Sequence, residues 1–188
     1  MRSSTPQDLI GRCKACLLPI EACLCGAIEK VETQTRFLIL RHVKEAWKTS
    51  NTARLAALAI PGATVRAYGQ PHDPVPAPGE GVTWLLFPGA RAHVPPGRPD
   101  LIVVLDGTWA QARRMTQRIA WLKGMPRLSL LPVAAHDGLR REPDAASMPT
   151  VIAISRAVAL LEGEGKAQKL ERLHGELVRR VRSLRGVE

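Results

Sequence analysis

Nowhere in its 188 residues does the chain have an apolar run near the eighteen or so residues of a spanning helix, which excludes an integral helical membrane protein. The segment from Met1 to Ile10 is polar and lacks the apolar stretch of a secretory signal, so a cytoplasmic protein is expected. Aromatic residues make up 4% of the chain, too few for a sheet that binds RNA by stacking bases on exposed rings. Residues 26–188 contain no cysteine, and no internal repeat or heptad array runs through the sequence. Two glycine pairs fail as nucleotide-binding loops. Gly163-Glu164-Gly165-Lys166 lacks both the four-residue gap between glycines and a Ser or Thr after the lysine, and Gly79-Glu80-Gly81 precedes a strand instead of following one.

What is present describes one globular domain of ordinary size. Apolar residues at 45% and charged residues at 23% are ordinary globular values, whereas 27 Lys and Arg against 17 Asp and Glu leave a net charge of +10. That surplus points to a polyanionic partner, with nucleic acid favoured over an anionic membrane surface. The four cysteines, Cys13, Cys16, Cys23 and Cys25, follow a C-x2-C-x6-C-x-C spacing within one short segment. Thiolates so spaced can converge on one tetrahedral zinc ion, the alternatives being unliganded thiols or, in an oxidising compartment, two small disulfide loops. We therefore divide the chain into a cysteine-rich zinc module over 11–30 and an α/β domain over 31–188 that ends in a basic helix.

Downstream, short apolar runs at 36–42, 63–68, 83–87, 101–105 and 127–131 read as strands. Helical periodicity marks 52–60, 108–122, 151–162 and 166–185, and proline-rich stretches around 70–81 and 95–99 read as surface connections. Strands alternating with helices predict an α/β fold with a mostly parallel sheet, whose ligands bind beyond the carboxyl ends of the strands.

The strand at 101–105 delivers Asp106-Gly107-Thr108-Trp109 into the turn before a helix, where an acid and free backbone amides can face one ligand. On its own this reads rather as Asp106 capping the helix while Trp109 packs in the core. His42 stands at a strand end, where a histidine more often serves structure than catalysis. Arg114 and Arg118, like charges four apart on the helix after Trp109, repel one another and would be relieved by an anion; Arg113 extends the same basic character.

The D-x-T-W segment occurs together with Leu18-Pro19 inside the cysteine module, His42-x-x-Glu45, Ser50-Asn51-Thr52-Ala53, Phe87-Pro88-Gly89 and Arg141-x-Pro143. In this order, from about Arg12 to Leu161, the set resembles the DTW-domain family. Val43 stands where the family commonly has proline, and Pro149 and Ile152 stand where it usually has serine and an acidic residue. The resemblance implies a SPOUT-like, mostly parallel sheet with a knotted cofactor site. It also implies transfer of the 3-amino-3-carboxypropyl group of S-adenosylmethionine to a uridine of tRNA. On that pattern Asp106 is the catalytic residue, and Phe87, Pro88, Gly89, Gly107, Thr108, Trp109 and Leu130 hold the cofactor. His42, Glu45, Lys48, Asn51, Arg113, Arg114 and Arg118 meet the substrate, and the four cysteines hold zinc. The rival expectations are a SPOUT-like RNA methyltransferase and a noncatalytic zinc-bearing RNA-binding module.

Joint replacement of Arg114 and Arg118 by alanine is expected to weaken tRNA binding and to make its salt dependence shallower by about one phosphate contact per lost charge. Binding titrations over a range of salt concentrations measure that slope, and an unchanged value would move the RNA surface elsewhere.

Overall fold

Apolar runs separated by prolines and polar turns fold, in a computed structural model, into a five-stranded sheet with helices on both faces; residues 10–49, 51–70, 73–88, 91–130 and 148–186 are described. The strands are β1 (Arg36–His42), β2 (Ala63–Tyr68), β3 (Thr83–Leu86), β4 (Leu101–Asp106) and β5 (Arg127–Leu128). Their order across the sheet is β2-β1-β4-β3-β5, and every neighbouring pair is parallel. The helices are α1 (Ala53–Ala59), α2 (Trp109–Arg118), α3 (Thr150–Glu162) and α4 (Glu164–Leu184). Among the described residues, no helix is long and apolar enough to cross a membrane.

Because successive strand residues point to opposite faces, each strand feeds two cores. Phe37 and Ile39, Trp84 and Leu86, and Ile102 and Val104 join Leu128 beneath α1, α3 and α4. Leu40, Leu85 and Val103 lie on the other face with Met115 of α2, Ile119 and Leu122. The first face carries the larger core and also takes in Cys16, Leu18 and Leu24, so the cysteine segment packs into it. Arg180 of α4 donates to the carbonyls of Ala22 and Cys23, tying that segment to the last helix.

Two elements stop short of the lengths that periodicity suggests. The helix expected over 108–122 breaks at Ile119, which takes an extended conformation (φ −85°, ψ 105°) before a 3-10 turn at Ala120–Leu122. This break lets Ile119 and Leu122 both reach the smaller core. The strand expected over 127–131 ends at Leu128, because Ser129 exchanges backbone hydrogen bonds of 2.8 and 2.9 Å with His93 in an antiparallel bridge. Arg141-x-Pro143 lies outside the described residues.

The sheet is closed at the amino ends of its strands by Glu162, the last residue of α3. Its carboxylate accepts from the amides of Gln34 and Thr35 at 3.0 and 2.8 Å and from Lys166 Nζ at 2.9 Å. Burial alone would raise the pKa of this carboxyl, but the amide of Thr35, then Lys166 and the amide of Gln34, bring it below the usual carboxylate value. Gly163, with φ +99°, is the single residue between α3 and α4, and its left-handed backbone lets the two helices fold against each other.

Candidate functional site

Alternation along β4 sends Ile102 and Val104 into the larger core, so Asp106 at the strand's end points to the same face. It is 4% exposed. Asn51 Nδ2 donates to Asp106 Oδ2 at 2.5 Å, and Thr150 Oγ1 donates to Oδ1 at 2.7 Å. Asn51 lies just before α1 and Thr150 opens α3, and Thr52 Oγ1 accepts from the amide of Val151 at 3.3 Å. Two helix starts are thus gathered on one carboxylate. Burial pushes the pKa of Asp106 up, and the charge of Glu45 adds to this; the hydrogen bonds from Asn51 and Thr150, and the cation of Arg41, oppose it without cancelling it.

Glu45, 1% exposed, accepts from Lys48 Nζ at 2.6 Å, so three residues of the expected substrate set, Glu45, Lys48 and Asn51, do gather beside Asp106. Arg41, Arg54 and Thr150 complete the surroundings and were not singled out by motif. Arg41 pairs with Asp106 in the β1–β4 register, a relation that no linear spacing reveals.

On the opposite face, Phe87 and Trp109 meet edge to face with ring centroids 6.0 Å apart, and the Arg127 guanidinium lies 5.5 Å from the Phe87 ring centre. Pro88 follows on the surface, and Gly89 is outside the described residues. Leu130 packs against the larger core instead, so the expected cofactor set straddles the sheet edge. His42 contacts Tyr68 edge to face at 6.1 Å and accepts from the Lys44 amide at 3.2 Å. Its pKa is lowered by burial first; Glu45 opposes this, and Lys44, Lys48 and Arg114 reinforce it, which leaves the imidazole neutral at neutral pH. Arg114 is therefore near enough to act on His42, while Arg113, Arg114 and Arg118 are all exposed on α2.

Thr108, not Asp106, is the N-cap of α2. Its hydroxyl accepts from the Gln111 amide at 3.3 Å while the Gln111 side chain accepts from the Thr108 amide at 2.6 Å, a capping box worth about 1 kcal/mol. A Cβ on Gly107 would lie 2.8 Å from Gln111 Oε1, so glycine is needed there to admit the cap. With capping assigned to Thr108, Asp106 is not the cap of α2.

The sulfur atoms of Cys13, Cys16, Cys23 and Cys25 all lie within 4.8 Å of one another, with Cys13–Cys25 at 3.5 Å and Cys16–Cys23 at 3.9 Å. Amides of Cys16 and Ala15 draw Cys13 down to about 6, whereas burial and then the neighbouring sulfurs push Cys25 up to about 12. Four sulfurs this close cannot all ionise without a cation among them, and the group can hold a metal.

The basic residues of α4 are largely engaged with carboxylates. Lys166 pairs with Glu162, Lys169 and Arg172 with Glu29, and Arg179 and Arg180 with Glu176. These are mostly exposed pairs of small energetic value, yet they lower the positive potential of α4 relative to the arginines of α2.

Raising the folded-state pKa of Asp106 above its unfolded value means that ionisation is disfavoured in the native state. Stability is therefore lost as pH rises from the unfolded value, near 3.8, through the native one. Asp106→Asn should gain stability relative to the unmodified chain across that rise and hold a constant difference above it. Urea midpoints measured from pH 3.5 to 8 test this; a difference that does not move with pH would mean that Asp106 ionises freely.

A DTW domain family model matches residues 10–182. Over 179 residues the chain is 27% identical to tRNA-uridine aminocarboxypropyltransferase 2 of Drosophila melanogaster, covering 85% of this chain and 70% of that protein. It is 24% identical over 174 residues to the protein of the same name from Macaca fascicularis, covering 84% of this chain and 58% of the relative. With the mouse protein of that name it shares 25% over 167 residues, 80% of this chain and 56% of the relative. The chain thus spans little more than half the length of the macaque and mouse relatives. No solved structure matches it. Nearly the whole chain follows one family pattern, with D-x-T-W at the end of a central strand: it belongs to the DTW domain family.

Proposed function

We propose that this chain transfers the 3-amino-3-carboxypropyl group of S-adenosylmethionine to a uridine of tRNA, in the cytoplasm, releasing methylthioadenosine. The observation that carries this reading is Asp106, buried at the end of a central strand, fixed by two neutral donors and not used as a helix cap. The relatives' shared name supplies the reaction class. The net charge of +10 and the exposed arginines of α2 suit an RNA substrate. We read the fold as SPOUT-like with a knotted cofactor site, formed where the chain leaves β3, β4 and β5 at Phe87, Gly107 and Leu130.

The uridine imide is a weak acid, so its nitrogen attacks well only when the proton is held or removed. Asp106 uses one lone pair of each oxygen on Asn51 and Thr150, which leaves a second to accept the imide N–H. Burial makes it a better base than an ordinary aspartate. As the imide nitrogen bonds to the γ-carbon of the aminocarboxypropyl group, the carbon–sulfur bond breaks. Its electron pair returns to sulfur, giving neutral methylthioadenosine, and the imide proton passes to Asp106 and then to solvent. Because the sulfonium is already a good leaving group, positioning supplies much of the acceleration. Edge-to-face Phe87 and Trp109 offer an apolar wall for the adenosyl portion.

The cysteine group suits zinc. Ligands about 2.3 Å from a tetrahedral ion stand about 3.8 Å apart, close to the two sulfur separations in this chain. Four protein ligands leave no open position, so the ion would be structural, holding Leu18 and Leu24 in the core. Purified protein is expected to hold one zinc per chain, and chelation or Cys16→Ser should lower its melting temperature. Metal analysis paired with thermal unfolding checks both; a metal-free chain of undiminished stability would remove zinc from the account.

Incubation with S-adenosylmethionine and unmodified bacterial tRNA should yield methylthioadenosine and aminocarboxypropyl-uridine by mass spectrometry, and Asp106→Asn should slow this by about a hundredfold or more. S-adenosylhomocysteine with a methylated base would instead make the chain a methyltransferase. Bound but unaltered tRNA would make it a binding module.

A further inference from the structure

An amino-acid headgroup carries a cation and an anion on one carbon, so a site that selects it needs opposite partners side by side. The surroundings of Asp106 contain both. Arg41 follows Phe37 and Ile39 on the larger-core face of β1 and lies directly across the ladder from Asp106. Adjacent strands are about 4.8 Å apart, which brings the two side chains to one locus. Yet Arg41 has no ion pair among the described residues, its Nε is buried without an acceptor, and the Asp106 oxygens are held by Asn51 and Thr150. Behind it stands Arg54 of α1, whose Nη2 donates to the Ala46 carbonyl at 2.5 Å while Nη1 is buried without an acceptor. Arg54 and Arg41 repel each other, and burial together with this repulsion brings Arg54 down to about 10, still charged at neutral pH.

Acceptors occupy the same ground. Asn51 is 5% exposed, and its Oδ1 is buried without a donor although its Nδ2 is tied to Asp106. Glu45 acts on Asp106 from nearby. A buried guanidinium N–H with no acceptor and a buried carbonyl with no donor are each costly, more so for the charged group. Here they flank one carboxylate.

We propose that Arg41, backed by Arg54, receives the α-carboxylate of S-adenosylmethionine, while Asn51 Oδ1 receives its ammonium and leaves Asp106 to the imide. This rests on the cofactor assigned under the proposed function and adds which residues hold its reactive arm. A phosphate of the RNA backbone is the competing anion. It brings no positive group to meet Asn51 Oδ1 and is repelled by Asp106 and Glu45, whereas the zwitterion satisfies both sides. The arrangement also places the γ-carbon, two bonds from the α-carbon that bears both charged groups, beside Asp106.

Calorimetric binding to the metal-loaded full chain, without RNA, tests the assignment with two ligands. One is S-adenosylmethionine; the other is its decarboxylated analogue, which keeps the sulfonium and the ammonium. The unmodified chain should prefer S-adenosylmethionine by about tenfold to a hundredfold, the range for a charge-assisted contact. Arg41→Gln should compress that preference to within about threefold, mainly by weakening S-adenosylmethionine, and Arg41→Lys should restore part of it. The salt dependence of tRNA binding should not change in either variant. Equal affinity of the unmodified chain for both ligands overturns the inference, whatever the fate of the variants. So does a folded Arg41→Gln chain that keeps the preference, and a shallower tRNA salt slope beside that retained preference would assign Arg41 to phosphate. Failure to bind either ligand would overturn the cofactor reading too, whereas binding without preference overturns only this assignment.

Discussion

Burying an unpaired carboxylate is costly enough that a fold keeps one only where several segments supply donors to it. In this chain the donors to Asp106 come from residues 55 positions before and 44 positions after it. Asn51 and Thr150 each stand at the start of a helix, where the positive end of the backbone dipole adds to their hydrogen bonds. One residue thus ties the starts of α1 and α3 to the central strand, and the candidate site and the junction of the fold coincide.

The two faces of the sheet divide the work around that junction. On the α1 and α3 face lie the charged and hydrogen-bonding groups that could hold and activate reacting atoms. On the α2 face lie two aromatic rings, a neutral imidazole and the exposed arginines. Glycine at 107, required so that Gln111 can close the cap over it, is where the chain passes from one set to the other. The metal-competent cysteine group is joined to the core through Leu18 and Leu24 and to α4 through Arg180, and its Cys16 lies near enough to Arg54 to act on that charge.

Much of this was legible in the residues. Among the described residues, β1 to β5 and α1 to α4 were foreshadowed by apolar periodicity, since alternation and helical spacing are properties of a contiguous segment. The cysteine group was legible because its ligands are close in sequence. What escaped depends on register or on distant partners. Arg41 is opposite Asp106 only because β1 and β4 are neighbours in a given alignment, and β5 is short only because His93 claims Ser129. The last helix read as basic, yet Glu29, remote in sequence, neutralises part of its charge. Capping by Thr108 in place of Asp106 turned on a Gln three residues on, a local signal outweighed by the conspicuous acid.

The one-residue junction at Gly163 restricts how the chain can vary in length. Each residue added to a helix turns everything beyond it by about 100°. An insertion between α3 and α4 would swing Leu170, Leu173, Leu177 and Val181 out of the core and carry Arg180 away from Cys23. In the proline-rich stretch before β3, residues 73–81 are coupled more weakly, through Val75 in the smaller core and its carbonyl's bond from Trp121, while most of their side chains face water. Natural or engineered length changes should therefore collect there and spare the α3–α4 corner, so that spacing across this corner is a more dependable guide for aligning distant members of the family than overall identity.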